Sequence, residues 1–263
     1  MCSLKSQLSN KPKQYILNLC KLFLSFSIIT KTIIITTTTT TTTTIHIGIS
    51  AGVSIGRIAC GGEHTMFLTR SGAVYCCGKN TLGQLGLGHT KDIFEPTLIR
   101  SLVSTPIRDA ACGDCFTIVS EMEQTNLQQC GFIGKPNIHL DAETNVCGPG
   151  GTFDHDEDGY TKTVIVNLSF ENVKLPELYN GKAKILAVSA GAYHCGILVD
   201  GDGDNSNGAE SVLTWGEGVH GALGHSNEER CELPTIVEAL DHCCAIQLSM
   251  GHEFSALLTT DGK

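Results

Sequence analysis

From residue 57 onward, short apolar runs follow glycine in one repeated pattern of hydrophobic and small positions. Each run begins three residues after the glycine with a ring, continues with a small residue, and then becomes an apolar segment of strand length. The anchor glycines are Gly61, Gly113, Gly191 and Gly251; the rings are His64, Phe116, His194 and Phe254; the small residues are Thr65, Thr117, Cys195 and Ser255. Four copies of one pattern predict four copies of one β-rich unit.

A second strand follows each apolar run in the pattern. Ser71-Gly72 and Asp261-Gly262 have the composition of hairpin turns, where glycine supplies a positive φ. The second strand ends in a glycine, which is Gly78, Gly131 or Gly216. The spacing from Gly78 to Gly113 and from Gly216 to Gly251 is 35 residues in both cases (113 − 78 and 251 − 216). Equal spacing at two places supports a true structural repeat.

Two segments lengthen the pattern. Gly131 and Gly191 are 60 residues apart (191 − 131), which predicts an insertion at about 132–180. The third unit contains an acidic, glycine-rich stretch at 200–208 between its two strands. Insertions in repeat proteins usually become surface loops on one face, which is often the binding face.

The sequence between the strands carries the most specific motif. Residues 77–88 read C-G-K-N-T-L-G-Q-L-G-L-G, and residues 215–224 read W-G-E-G-V-H-G-A-L-G. Both resemble the W-G-x-N-x-x-G-Q-L-G-x-G motif of the regulator of chromosome condensation repeat family, with Cys77 in place of the usual tryptophan. Residues 95–99 and 233–237 resemble the closing P-x-x-I/V element of that family.

This resemblance implies an all-β fold, a seven-bladed β-propeller in which each blade is a four-stranded antiparallel sheet. Residues 57–263 hold three repeats and the opening of a fourth, so we expect three to four blades of an incomplete propeller that cannot close alone. The motif positions take structural roles in turns and between blades. They are Gly61, Gly78, Gly83, Leu85, Gly86, Gly113, Gly191, Trp215, Gly216, Gly221, Leu223, Gly224 and Gly251.

Residues 1–56 have a different composition and are expected to form a low-complexity, disordered leader. Residues 22–29 are a weak apolar segment behind four lysines, but Lys21 and Lys31 limit its length. A spanning helix needs about 20 predominantly apolar residues, so no membrane association is expected. Residues 36–44 are all threonine, and a homopolymer does not specify strand register.

Charge and cysteine content restrict the partners and the compartment. The net charge is −9 without a basic run, so direct nucleic-acid binding is not expected. Thirteen cysteines within apolar runs indicate buried free thiols in a reducing compartment, which is the cytoplasm, the nucleus or both. Trp215 is the only tryptophan, which excludes light sensing by a tryptophan cluster.

Candidate chemistry is sparse. Asp154, Asp156 and Asp158 match the first half of a calcium loop, but Ile165 occupies the position of its final glutamate, so a solvated acidic loop is the favoured interpretation. Cys112 and Cys115 have C-x-x-C spacing without a second ligand pair, and Cys112 aligns with packing positions. His64 and His194 recur with the repeat and are interpreted as structural. We therefore predict no cofactor and no enzymatic activity of its own.

The resemblance leaves two functions open. The first is a non-catalytic interaction propeller, a scaffold or substrate-recognition module in signalling or ubiquitin pathways. The alternative is a guanine-nucleotide exchange factor for a Ran-like small GTPase. The expected partner is a protein in both cases, either a small GTPase or a ubiquitin-pathway substrate.

Overall fold

The computed structural model describes residues 33–36, 42–45, 53–134, 145–147, 163–179, 184–200, 210–240, 243–260 and 262. The first two elements are β1 (Ile33–Thr36) and β2 (Thr42–Ile45), which pair antiparallel with Ile33 opposite Ile45. The two ends of the threonine tract therefore lie in strands, in keeping with the extended preference of β-branched residues. The middle of the tract and the apolar segment 22–29 lie outside the described residues, and the leader boundary stays a prediction.

Blade 1 is a four-stranded antiparallel sheet in simple meander order. Its strands are β3 (Ile55–Cys60), β4 (His64–Thr69), β5 (Val74–Gly78) and β6 (Ile93–Leu98). The β4–β5 hairpin turns through Gly72 at a φ of 86°, as the Ser-Gly pair predicts. Pro96 lies on the edge strand β6, where a missing N–H costs no ladder hydrogen bond.

Blade 2 repeats the same order around a long connection. Its strands are β7 (Ile107–Cys112), β8 (Phe116–Glu121), β9 (Leu127–Gly131) and, after the pair β10 (Asn145–Cys147) and β11 (Thr163–Ile165), β12 (Asn167–Asn172). β10 and β11 are parallel to each other. β12 pairs with β9 and completes the blade, so the additional chain of the insertion falls between these two strands.

Blade 3 and the opening of a fourth blade follow. Blade 3 contains β13 (Lys184–Ala190), β14 (His194–Asp200), β15 (Ser211–Gly216) and β16 (Cys231–Ile236), and blade 4 contains β17 (Ala245–Met250) and β18 (Ser255–Thr259). Single 3-10 turns lie at Arg100–Leu102, Glu177–Tyr179, Val219–Gly221 and Glu238–Leu240. The all-β fold with three to four blades is thus confirmed.

The hydrophobic core is divided into layers between successive blades. One layer joins blades 1 and 2 and contains Met66, Leu85 and Val119, and the next joins blades 2 and 3 around Phe116 and Trp215. A third layer packs blade 3 on blade 4. The first strands of successive blades are neighbours and are tied by polar contacts, such as the 2.9 Å ion pair between Arg57 and Asp109.

The expectation that the cysteines are buried holds for part of the set. Cys76, Cys77, Cys112, Cys130 and Cys195 are buried, whereas Cys60 and Cys244 are exposed, contrary to the sequence prediction. The Cys112 thiol donates to the Ala59 carbonyl of the preceding blade at 3.6 Å. Cys60 occupies the equivalent position in blade 1, but among the described residues no blade precedes it.

Candidate protein-binding face

Two sets of loops emerge at one end of blades 1, 2 and 3. Gly78 pairs with His64, Gly131 with Phe116, and Gly216 with His194. Within each four-stranded blade, the start of the second strand (β4, β8 or β14) therefore lies beside the end of the third strand (β5, β9 or β15). The loops between first and second strands therefore share one face with those between third and fourth strands. We call this surface the anchor face. It carries the anchor glycines, the motif loops 79–92 and 217–230, and the two points where the chain leaves β9 and enters β12.

Backbone hydrogen bonds join the first set of loops from blade to blade. Gly62 N–H donates to Gly113 O at 3.1 Å, Asp114 N–H to Ala192 O at 2.9 Å, and Ala192 N–H to His252 O at 3.0 Å. Each bond crosses a blade boundary and satisfies polar groups that packing removes from water. The four loops therefore form one continuous arc.

The anchor glycines allow this close approach. A Cβ atom at Gly61 would lie 2.3 Å from Gly113 O, and one at Gly191 would lie 2.4 Å from Gly251 O. The ring of His64 or His194 in the same blade lies equally close, so a side chain at these positions would displace that ring and push two blades apart.

The ring and the small residue of the repeat meet across the blade boundary. His64 Nε2 lies 2.8 Å from Thr117 Oγ1 of blade 2, and that hydroxyl donates to Gln84 O at 2.8 Å. The same arrangement recurs between blades 3 and 4, where His194 Nε2 lies 3.0 Å from Ser255 Oγ. Ser255 Oγ then donates to Ala222 O at 2.8 Å. At the boundary between blades 2 and 3, the equivalent residues are Phe116 and Cys195, both completely buried.

Burial keeps both histidines neutral at physiological pH. It lowers the pKa of His64 to about 4, with a hydrogen bond to the Phe116 backbone acting in the opposite direction. Burial also lowers the pKa of His194. The two imidazoles are structural hydrogen-bonding groups, because each is held inside a blade boundary rather than presented to a substrate.

The charged side chains of the anchor loops are acidic and half-buried. Glu63 pairs with Lys79 at 2.6 Å, while Asp114 and Glu253 come from the neighbouring loops. The Tyr193 ring contacts the His252 ring edge to face, with centroids 5.3 Å apart. A surface of carboxylates and partly exposed rings is suited to protein side chains rather than to phosphate backbones.

The motif loop of blade 1 packs against the outer strand of blade 2. Gly83 and Gly86 have φ values of 76° and 66°, and Gly88 N–H donates to Leu168 O of β12 at 2.8 Å. In blade 3, Gly221 and Gly224 have φ values of 72° and 78°. The motif leucines Leu85 and Leu223 are buried at 0% and 2% exposure.

Asn80 is a structural residue that is not among the positions predicted from the sequence. Its side chain is fully buried, donates to the His89 and Lys91 carbonyls at 2.6 and 3.2 Å, and accepts from Leu85 N–H at 2.9 Å. Its place in the G-x-N element of the motif was the available signal. Blade 3 has Gly218 there, where a Cβ atom would lie 2.1 Å from Glu229 O.

The candidate metal residues Asp154, Asp156 and Asp158 lie outside the described residues, as does most of the acidic stretch 200–208. That stretch connects β14 to β15 and therefore leaves blade 3 at the end opposite the anchor face. Within the described part of the chain, no group of three or more His, Cys, Asp or Glu residues is arranged to hold a metal ion. The same part contains no apolar helix of membrane-spanning length.

Meander blades stacked through buried inter-blade layers define a β-propeller repeat protein. The repeat itself matches the family description "Regulator of chromosome condensation (RCC1) repeat" at residues 71–120 and 210–258, and a second model of the same description matches 57–84. The segments 57–120 and 210–258 are therefore repeats of the regulator of chromosome condensation type, as the motif at residues 77–88 predicts.

Curated relatives agree with this assignment. The chain is 29% identical to the ultraviolet-B receptor UVR8 of Arabidopsis thaliana over 212 residues, covering 81% of this chain and 40% of the receptor. It is 28% identical to the protein RCC2 homolog of Danio rerio over 221 residues, covering 78% of this chain and 40% of that protein. The chain thus spans about 40% of the length of these relatives.

Among solved structures, the fold is similar to Prp20p from Saccharomyces cerevisiae. The TM-score is 0.54 at 21% identity, over 79% of this chain and 45% of that chain. Prp20p itself is described together with its binding to Gsp1p and histones. This likeness supports the propeller fold.

Proposed function

We propose that this chain is a non-catalytic protein-binding platform whose binding surface is the anchor face. The observation that carries the proposal is the position of the insertion. The connection from Gly131 to Asn167 leaves blade 2 on the anchor face, where blades 1 and 3 have the motif loops 79–92 and 217–230. The longest addition to the repeat therefore begins and ends on the face that carries the continuous arc of anchor loops.

The charge of the surface supports a protein partner. The arc presents Glu63, Asp114 and Glu253, and the net charge of the chain is −9. Phosphate binding depends on Lys and Arg, and Lys79 is already paired with Glu63. A partner with basic or mixed side chains is complementary to this surface.

The same face suits a second candidate function, guanine-nucleotide exchange on a small GTPase. The chain is 28% identical over 214 residues to a secretion-regulating guanine nucleotide exchange factor of Mus musculus. Exchange needs no covalent chemistry, because a surface that binds the nucleotide-free GTPase more tightly shifts the equilibrium toward it. A scaffold role is favoured by the similarity, at 28% identity, to the E3 ubiquitin-protein ligase HERC2 of Homo sapiens.

Both functions are tested on the full chain with a panel of small GTPases that includes Ran. Release of a fluorescent nucleotide measures exchange, and biolayer interferometry on the nucleotide-free GTPases measures binding. The informative variant replaces residues 136–162 by a short Gly-Ser linker and leaves β12 intact. A replacement of residues 201–208, at the opposite end of the blades, is the matched control.

Accelerated release that is lost only in the 136–162 variant would establish exchange and locate it on the anchor face. If no GTPase responds, crosslinking decides which end of the blades binds the partner. One variant carries a photo-crosslinking amino acid at Glu63 on the anchor face, and the other carries it at Arg70, near the β4–β5 turn at the opposite end. A discrete crosslinked partner from Glu63 alone supports the platform. Equal capture from both positions would contradict the anchor face as the binding surface.

A further inference from the structure

Arg230 joins the start of the insertion to blade 3. It lies just before β16, and its Nη2 donates to the Ile133 carbonyl at 2.8 Å. Its guanidinium carbon lies 5.7 Å from the centroid of the Phe132 ring. Phe132 and Ile133 directly follow β9, so one side chain of blade 3 holds the segment that leaves blade 2.

The guanidinium is itself fixed by two carboxylates. Arg230 Nη1 is 2.6 Å from Glu217 Oε1, and Arg230 Nε is 2.6 Å from Glu232 Oε1. Hydrogen bonds to Glu232 and Glu217 raise the pKa of Arg230 despite its partial burial. With all three of its nitrogens engaged in fixed directions, the planar guanidinium has little freedom, which a lysine ammonium could not reproduce.

The backbone at Gly134 packs closely against the Arg230 guanidinium. Its φ is 140°, and a Cβ atom there would lie 2.2 Å from Arg230 Nη1 and 2.9 Å from Glu217 Oε1. The backbone therefore passes directly against the ion pair. Two independent features, the Ile133 hydrogen bond and the contact at Gly134, converge on Arg230.

We propose that Arg230 is the positioning residue that fixes the direction in which the insertion leaves blade 2, and thereby the partner-binding geometry of the anchor face. The part concerning partner binding rests on the proposed function. Arg230 acts through Ile133 and Gly134, which are backbone contacts, so the effect of its removal is local and measurable without a partner.

Hydrogen–deuterium exchange of the full chain tests the local claim. In Arg230→Lys and Arg230→Ala, the Phe132 amide, whose N–H donates to Cys115 O at 2.8 Å, is expected to exchange at least about tenfold faster. This factor corresponds to a loss of about 1.4 kcal/mol of local stability. Glu217→Gln is expected to have a smaller effect in the same direction, and the exposed Arg100→Ala is the matched control. Unchanged exchange of the Phe132 amide in a folded Arg230→Ala protein would overturn the inference.

The functional claim is tested with the partner or GTPase found on the anchor face. Arg230→Ala is expected to weaken its binding at least about fivefold, while Arg100→Ala leaves it unchanged. Faster exchange with unchanged affinity would refute the link from Arg230 to partner binding. Absence of any partner for the anchor face would refute the proposed function, whereas hydrogen exchange of the Phe132 amide decides the local claim independently. A variant that loses its overall β-sheet signal is replaced by Arg230→Lys.

Discussion

His64 Nε2 and Thr117 Oγ1 are 2.8 Å apart across the boundary between blades 1 and 2, although 53 positions separate the residues in the chain. The Thr117 hydroxyl also donates to Gln84 O, so one hydroxyl links an imidazole and a carbonyl of blade 1 to blade 2. The ring and the small residue change together from one blade boundary to the next. A histidine faces a hydroxyl twice, and Phe116 belongs to the boundary where the small residue is Cys195.

The buried histidines make the stability of the propeller depend on pH. The pKa of His64 falls from 6.5 to about 4 on folding, so the unfolded state binds more protons between these values. The free energy of unfolding should therefore decrease as the pH falls below about 6.5, by about 2 kcal/mol for His64 at pH 5, and His194 adds to the loss. Urea unfolding at pH 7 and pH 5 measures the difference. A midpoint that does not fall at pH 5 would contradict neutral burial of the imidazoles.

Exchanging one boundary pair for the other isolates the contribution of His64. The Thr117 hydroxyl donates to Gln84 O. Thr117→Cys alone should therefore lower the free energy of unfolding by about 1–3 kcal/mol. His64→Phe alone removes the partner of the hydroxyl and is expected to cost a similar amount. The double variant reproduces the chemistry of the Phe116 and Cys195 boundary, so its cost should be smaller than the sum of the single costs. It should also lose the His64 part of the pH dependence.

A double-mutant cycle from urea unfolding gives this coupling energy directly. Thr97→Val is the control, since Thr97 is exposed on β6 and its substitution is expected to change stability by no more than about 0.5 kcal/mol. Strict additivity of the His64 and Thr117 effects would show that the contact between them carries no energy.

The sequence predicts the repeat and the fold because glycine positions and apolar alternation are local signals. Gly72 turns a hairpin as its Ser-Gly pair predicts, and the rings and small residues of the first three units lie in the predicted strands. The pairing of His64 with Thr117 was not predictable, because it depends on how two blades pack. β12 was also missed, since Asn167–Asn172 has no proline of the closing element and lies within the predicted insertion.

Arg230 shows a further limit of sequence reasoning. It lies within a run of charged residues, where an arginine is usually solvated. Only the packing of blade 3 against the exit of β9 brings it to Ile133, from which it is 97 positions distant. Long-range side-chain contacts of this kind depend on the three-dimensional arrangement and leave no periodic signal in the sequence.

Alanine substitutions at two motif glycines distinguish the cost of backbone strain from the cost of disturbed inter-blade packing. Gly83 and Gly221 occupy the same motif position in blades 1 and 3 and have φ values of 76° and 72°. A Cβ atom at Gly83 would lie 3.0 Å from Leu168 Cδ2 and 3.1 Å from Leu168 Cα, whereas a Cβ atom at Gly221 has no neighbour within 4 Å. Both alanine substitutions carry a strain of about 1–2 kcal/mol.

Gly83→Ala should destabilise the protein by about 1–3 kcal/mol more than Gly221→Ala, because it also forces the motif loop away from β12. Thermal unfolding followed by circular dichroism compares the two variants under identical conditions. Equal losses of stability would mean that the contact between the loop and β12 does not stabilise the blade boundary.

Thiol reactivity tests the electrostatics of the anchor face. Cys115 is half-buried beside Asp114, and burial together with the Asp114 charge raises its pKa to about 12. Cys244 is exposed. Since the thiolate is the nucleophile, maleimide at pH 7.5 should label Cys244 more than about tenfold faster than Cys115, with Cys130 and Cys195 protected until the protein unfolds.

Asp114→Asn should then accelerate the labelling of Cys115, because removing a negative charge lowers the pKa of the neighbouring thiol. Glu95→Gln, an exposed charge change on β6, is the control and should leave the rate unchanged. Peptide mass spectrometry after timed labelling resolves each cysteine separately. A Cys115 rate that is equal in the native protein and in Asp114→Asn would show that the carboxylate does not act on the thiol. Labelling of Cys195 at the rate of Cys244 would contradict the packed boundary between blades 2 and 3.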